Sequence, residues 1–383
     1  MRDAVVVGAG PAGTRAAALL ARDGRDALVI EARERPGRPV QCAGLISPET
    51  AEMSGVRPDA LGEVTGADVH FPGGGCYRIR RDRVMAIAVD RAELDSDMAD
   101  AAAAAGAEIC CGERYLGHSV SGGAAAVRSQ SREISARIVV GADGQGSAVA
   151  ASLGDNGPRE YLRGIQVDVR QKPRESGVMS MWLGSEVAPG FFGWEIPIGD
   201  MVRVGLCVAP GSPPPCEYLG PLLRRAGLDG REIAAKYSGK IPLGGRRATY
   251  GDGVLLIGDA AGQVKPVSGG GLFPAFKAAP ILADVAGSAL DSGRLSASGL
   301  SEYERRWKRE LGGEMRAGYA IRRAFKRMSD AGLDGMLPVL EARGARRAMA
   351  EIEIDRPSRA MLAVLRDPVA LARAAPAVLR ALI

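Results

Sequence analysis

The sequence predicts an α/β chain of more than one domain, and three observations carry that reading. The opening residues run in β-α-β order, residues 164–208 switch to strands with alternating polarity, and the pattern after Ser292 is almost wholly helical. At 383 residues the chain exceeds what one hydrophobic core usually serves.

The elements follow in order. Ala4–Val7 is a short apolar run of β-formers ended by Gly8, Ala12–Arg22 is an alanine- and leucine-rich helix, and Ala27–Ile30 is a second buried strand. Strands apolar on both faces imply a parallel sheet covered on each side. A glycine-rich stretch from Glu49 to Val84 holds a hairpin, His70–Phe71 against Cys76–Arg80. Arg91–Ala105 reads as a helix with Asp90 as N-cap. Strands follow near 108–111, 124–128 and 137–140, then at 165–170, 178–183, 192–196 and 203–208 as an antiparallel set. Pro210–Pro215 is a connector, Gly253–Ile257 a buried strand, and Leu272–Leu290 a helix.

Composition narrows the function. Glycine numbers 52, against about 27 for an average chain, with no Gly-X-Y period. The excess belongs in tight turns and where backbone approaches a ligand. A net charge of +5 is too mild for a nucleic-acid partner. The six cysteines form no C-x-x-C, and only His70 and His118 offer imidazole, so no metal site is expected and a reducing cytoplasm is. No apolar stretch of about 18 residues appears, and the first apolar run leads straight into a glycine loop, so neither a span nor a signal peptide is predicted.

Gly8-Ala9-Gly10-Pro11-Ala12-Gly13 lies between a strand and a helix, with Glu31 ending the next strand. Gly8 makes the turn, Gly10 admits a pyrophosphate, and Gly13 packs helix on strand. The helix N-terminus attracts phosphate, and Glu31 suits ribose hydroxyls, which predicts a dinucleotide without a 2′-phosphate. Gly258-Asp259 follows a second buried strand. Together these motifs resemble the FAD-binding fold, in which the aspartate bonds the ribityl chain. NAD has no such chain, so the pair implies non-covalent FAD. Gly269-Gly270-Gly271-Leu272 opens a helix whose bare amides suit the negative edge of a reduced flavin.

Gly141-Ala142-Asp143-Gly144 resembles a signature of p-hydroxybenzoate-hydroxylase-like flavoproteins, although Asp143 serves equally as a helix cap. Arg91 stands where that superfamily places an arginine near the FAD pyrophosphate, or is a surface arginine. The segment Gly37-Arg38-Pro39-Val40-Gln41-Cys42-Ala43-Gly44 is similar to the P-V-x-C segment of the geranylgeranyl reductase family. So are the run from Gly258 through Lys265 and Pro266 to Gly271, and Phe192-Gly193-Trp194-Glu195-Ile196-Pro197, similar to the family's Y-x-W-x-F-P. Residues 1–300 carry the resemblance, which lies nearest the archaeal reductases of digeranylgeranylglycerophospholipids. Two departures bear on the substrate rather than on the flavin fold. Cys42 is followed by Ala43-Gly44-Leu45 without the family's glutamate, and Phe192 and Ile196 replace tyrosine and phenylalanine.

The resemblance implies an FAD domain of glutathione-reductase or p-hydroxybenzoate-hydroxylase type from 1–69, 88–155 and 250–295. An antiparallel-sheet substrate domain would take 70–87 and 156–249, and helices 296–383. It implies cofactor contacts from Gly8, Gly10, Ala12, Gly13, Glu31, Cys42, Ala43, Arg91, Asp259, Gly270, Gly271 and Leu272. Phe192, Trp194 and Pro197 would meet a prenyl lipid, with Val178, Met179, Met181, Trp182 and Phe191 as further wall candidates. Isolated trisubstituted alkenes cannot stabilise a carbanion, so the expected chemistry couples proton donation to hydride delivery from reduced FAD in a dry tunnel. Cys42 is the candidate proton donor. The electron donor, NAD(P)H or ferredoxin, is left open.

Arginines interleaved with aliphatics after residue 300, such as Arg343, Arg346, Arg347, Arg356, Arg359, Arg366, Arg373 and Arg380 among Met361, Leu362, Val364, Leu365, Leu371 and Leu379, suit either a helical cap or peripheral contact with the inner membrane face. The alternative function is a monooxygenase or halogenase of the same superfamily, since Phe192–Pro197 also resembles W-x-W-x-I-P. Halogenases carry a lysine in the first third of the chain, whereas the first lysine here is Lys172.

Overall fold

A computed structural model describes residues 1–155, 157–369 and 372. Arg2–Val7 is the central strand of an eight-stranded sheet, parallel to Ala27–Glu31 on one side and Glu133–Gly141 on the other. Glu108–Cys111 and Val254–Leu256 extend the parallel set outward. Period-two alternation sends Ala4, Val6 and Val29 to one core cluster and Val5, Val7, Leu28 and Ile30 to the other. The helices Pro11–Arg22 and Leu272–Ser292 cover the first face, burying Ala16, Leu20, Ala278 and Leu282. Glu133–Gly141 is longer than the sequence predicts because its first half also pairs with Ala124–Ser129 in a hairpin.

The second sheet has seven strands, in the order Ile233–Leu243, Glu160–Val169, Met201–Val208, Gly193–Ile198, Val178–Trp182, Gly66–His70 and Cys76–Arg80. It is antiparallel except at one junction, where Val178–Trp182 runs parallel to Gly66–His70. Gly66–His70 joins this sheet from Gly66, not from residue 70. The edge strand Ile233–Leu243 is legible in the structure alone. One face alternates to exposed Lys236, Ser238 and Lys240 and the other to partly buried Ala235, Tyr237, Gly239 and Ile241, so the inward positions are too small or polar to read as apolar alternation, and the edge lysines discourage pairing with another chain. The helix Cys216–Arg225 covers one face over Val167, Trp182, Val204 and Leu206.

Among the described residues, the helices that follow Ser296 include the long Ala297–Arg327 and Pro357–Arg366. They pack on the hairpin of the second sheet, where Phe71, Tyr77 and Ile79 meet Leu333, Val339, Ala345, Met349 and Val364. Most of their aliphatics thus turn inward. Leu371, Arg373, Leu379 and Arg380 lie outside the described residues. Among the described residues no helix is long and apolar enough to cross a membrane.

Candidate flavin and substrate site

The glycine loop after Val7 is closely packed. Gly8 has φ +106°, and a Cβ there would strike the carbonyl of Ala142, while one at Gly13 would strike the carbonyl of Gly8. At Gly10 a Cβ would meet nothing within 4 Å, which leaves that amide open to a ligand. Glu31 accepts hydrogen bonds from the amides of Ala9 at 2.8 Å and Arg33 at 3.0 Å, so it braces the loop while keeping lone pairs for ribose hydroxyls. Asp143 takes hydrogen bonds from the amides of Ala148 and Val149 at 2.7 and 3.2 Å, the helix-capping alternative.

Asp259 follows the strand Val254–Leu256 and lies against Gly271. Among the described residues its carboxylate accepts no side-chain or backbone hydrogen bond, and burial pushes its pKa up to about 6 against the pull of Arg91. An acceptor left unsatisfied in this position fits the ribityl hydroxyls of FAD. Hydroxyl donors favour the ionised form. FAD affinity is therefore expected to rise as pH climbs through about 6, and Asp259→Asn should flatten that rise, as read by flavin fluorescence titration of apoprotein. A wild-type affinity independent of pH between about 5 and 7.5 would leave Asp259 outside the cofactor contacts.

Next to Asp259, the helix Leu272–Ser292 starts at Gly271 without a side-chain cap, so its first amides are free for an anion. The glycine loop before it is closed by two hydrogen bonds, Gly269 N–H to the Lys265 carbonyl at 2.8 Å and Lys265 N–H to the Gly270 carbonyl at 3.0 Å. The Lys265 ammonium is buried and donates to Asp355 at 2.6 Å and to the Ile354 carbonyl at 3.0 Å. Asp355 also accepts from Ser47 and, at 3.0 Å, from the Thr50 hydroxyl. The C-terminal helices are thereby fastened to the loop that the flavin motifs define.

Cys42 is partly buried. Its thiol receives the Gly44 amide at 3.4 Å, and its sulfur lies in the electrostatic reach of the Arg91 guanidinium. Burial opposes the charge on Arg91, yet Asp95 and the Cys42 sulfur outweigh it, and the guanidinium holds Asp95 at 3.0 and 3.1 Å. Two groups of the second sheet pin this segment: Gln166 donates to the Cys42 carbonyl at 2.9 Å and Arg203 to the Ala43 carbonyl at 2.9 Å. Arg203 is itself held by Asp168 at 2.7 and 2.9 Å, and Tyr237 donates to the same carboxylate at 3.1 Å. Sequence reasoning passed over Gln166, Asp168 and Arg203. The available signal was a polar residue at every second position of otherwise apolar strands.

Trp194 projects from Gly193–Ile198 on the face it shares with Met181, its cross-strand partner. Its indole lies over Gly205, where a Cβ would come within 2.6 Å of the ring. It packs against the cluster of Leu162, Phe191 and Val264 and against the cluster of Ala88 and Ile196, which Ala43 and Leu45 also touch. The ring therefore bridges the Cys42 segment and the loop leading to Gly269. Phe192 meets it edge-on at 6.3 Å and stacks on Phe191 at 4.1 Å. Pro197 and Trp182 are not brought there. Pro197 is out of phase with Trp194 and takes the opposite face across from Val202, and Trp182 stacks on His70 at 5.0 Å within the core beneath Cys216–Arg225. Val178 shares the phase of Trp182. Asp68, His70 and Cys76 bring ligand atoms within 4.8 Å of one another, but Asp68 is already paired with Arg80 at 2.7 Å.

A glycine loop on a parallel sheet, a carboxylate without a protein hydrogen-bond partner and an uncapped helix fit a flavoprotein. A model of the FAD binding domain matches residues 1–204, more than half of the chain. Digeranylgeranylglycerophospholipid reductase 2 of Methanothermobacter thermautotrophicus is 32% identical over 95% of this chain and 99% of its own. The corresponding reductase of Methanocaldococcus jannaschii is 31% identical over 88% of this chain and 90% of its own. The chain belongs to the digeranylgeranylglycerophospholipid reductase family. Among solved structures, a geranylgeranyl bacteriochlorophyll reductase-like protein of Thermoplasma acidophilum shares the fold with a TM-score of 0.85 at 23% identity, covering 99% of this chain and 98% of that one. A halogenase in complex with phloroglucinol and FAD shares it at a TM-score of 0.70 and 16% identity, over 97% of this chain and 89% of its own.

Proposed function

We propose that this protein is an FAD-dependent reductase that saturates isolated double bonds of geranylgeranyl chains in archaeal-type ether-lipid precursors. The observation that carries the reading is the apolar face of Phe192, Trp194 and Met181 set beside the Cys42 segment and the Gly269–Leu272 loop, in a chain related to such reductases along its whole length. Gly8–Gly13, Glu31, Asp259 and the amides from Gly271 onward would hold FAD, which supplies a hydride equivalent when reduced. The protein's own groups do the rest. Trp194 and Phe192 exclude water and hold the alkene. The Cys42 thiol gives its proton to the alkene carbon that leaves a tertiary centre, and the thiolate so formed is met by the Gly44 amide and the Arg91 guanidinium.

Anaerobic incubation of dithionite-reduced protein with digeranylgeranylglyceryl phosphate, followed by lipid mass spectrometry, tests the reading. Gain of dihydrogen across chain double bonds is expected. Untouched lipid, or an aromatic halogenated or hydroxylated with oxygen uptake, would end it.

Trp194→Ala should leave flavin binding and reduction intact but slow saturation or shift which bonds are reduced, because displacing a reacting group by about 1 Å can cost ~100-fold. A folded, flavin-loaded variant with the wild-type product pattern and rate would remove Trp194 from the substrate wall.

A lipid substrate also favours peripheral contact with a membrane surface. Leu365 and Val369 are exposed apolar residues close to Arg366, a pairing that suits an anionic bilayer. Co-flotation with anionic vesicles, lost in Leu365→Glu, would support it, and no flotation of the wild type would exclude it.

A further inference from the structure

The last turns of the helix Ala297–Arg327 hold a charge cluster that the reduction itself does not use. Arg322 is buried, 3% exposed, and donates to Glu160 and to the Gly190 carbonyl at 3.1 Å. Its Nε has no partner, and its guanidinium lies 5.4 Å from the centre of the Phe191 ring. Glu160 is thus consumed by a buried cation. Around this pair opens a cavity of about 510 Å³ lined by Arg159, Tyr319, Arg323, Lys326 and Arg327 besides Glu160. Arg159 sits 5.7 Å from the centre of the Tyr319 ring, and Lys326 reaches Glu160 at 3.8 Å.

Earlier in the same helix three cations are paired, Arg305 with Glu302, Arg306 with Asp284 and Lys308 with Glu304. Among the described residues Arg159, Arg323 and Arg327 have no ion-pair partner. A concave site with unneutralised guanidinium groups matches a compact anion of more than one charge, and arginine forks match phosphate oxygens. Phe191, under Arg322, stacks on Phe192 and comes within 3.6 Å of the position a Cβ would take at Gly269. One aromatic layer separates the cations from the flavin loop.

We infer that this cavity binds a phosphate monoester, the charged end of the prenyl substrate, whose chain then crosses Phe191 and Phe192 toward Trp194. The assignment rests on the prenyl-reductase reading for its ligand and on the cavity for its chemistry. Binding of geranylgeranyl phosphate, geranylgeraniol and inorganic phosphate to the FAD-loaded protein, followed by calorimetry alongside product analysis, tests it. The phosphate ester should bind at least about tenfold more tightly than the alcohol, with a preference that shrinks as salt rises. The double variant Arg323→Gln/Arg327→Gln, exposed and expected to fold, should bring the two affinities close to parity.

Equal affinities in the wild type, or an unchanged preference in the variant, would overturn the site. Inorganic phosphate binding as tightly as the ester would assign the cavity to free phosphate and overturn the lipid assignment. A charge-dependent preference with no chain saturated on either prenyl probe would support the anion site and defeat the reductase reading. Saturation of both probes without preference would do the reverse.

Discussion

Cys42→Ala is expected to leave the flavin bound and reducible while slowing lipid-dependent reoxidation by roughly 10²–10⁴, the usual worth of a positioned acid. On the proposed mechanism the thiol is the proton source, its backbone fixed by Gln166 and Arg203 and its sulfur approached by the Gly44 amide. Cys42→Ser should be nearly as slow, because a hydroxyl keeps the size but is a far weaker acid. Anaerobic single-turnover absorbance of the flavin reads both variants directly. A Cys42→Ala protein that reoxidises at the wild-type rate would exclude this proton path, and a normal oxidised flavin spectrum would show that the loss of rate is not a loss of fold.

Arg203→Met carries the second large effect. It would leave Asp168 charged, buried and facing only Tyr237, and would release the Ala43 carbonyl. Breaking a buried pair in this way costs about 3–5 kcal/mol, which should appear as a lower denaturant midpoint with an unchanged slope. Removing both charges in Arg203→Met/Asp168→Leu should restore much of the stability, while the Cys42 segment stays untethered and catalysis stays impaired. A single variant as stable as the wild type would mean that water or movement relieves the charge. A double variant with full activity would show that the tether to Ala43 has no part in holding the site.

How far the sequence discloses this molecule depends on the range of each interaction. The strand and helix around Gly8–Gly13 are written in local terms, as apolar runs and a glycine spacing, and so are Asp90 as a cap and Gly258–Asp259 after its strand. Strand phase is also local in principle: Trp194 and Pro197 differ by an odd number of positions and must face opposite ways. Reading Phe192–Pro197 as one motif hid that parity and put Pro197 on the wrong side. The edge strand Ile233–Leu243 alternates in burial, but its inward positions include Ala235, Tyr237 and Gly239, which do not read as an apolar stripe. Other features have no local trace. Nothing near Lys265 in the chain predicts that its counter-charge is Asp355, and nothing near Cys42 predicts that Gln166 and Arg203 will hold it.

Asp355 has a temporal meaning as well as a spatial one. It neutralises a lysine in the flavin loop and accepts hydroxyl bonds from Ser47 and Thr50 near the other end of the chain. During synthesis those earlier segments emerge long before it does. Until residue 355 leaves the ribosome, Lys265 lacks the carboxylate it pairs with, so its loop gains that bond only after the preceding 354 residues have been made. If this loop meets the flavin, nascent chains stalled short of this aspartate should hold flavin more weakly than the released protein.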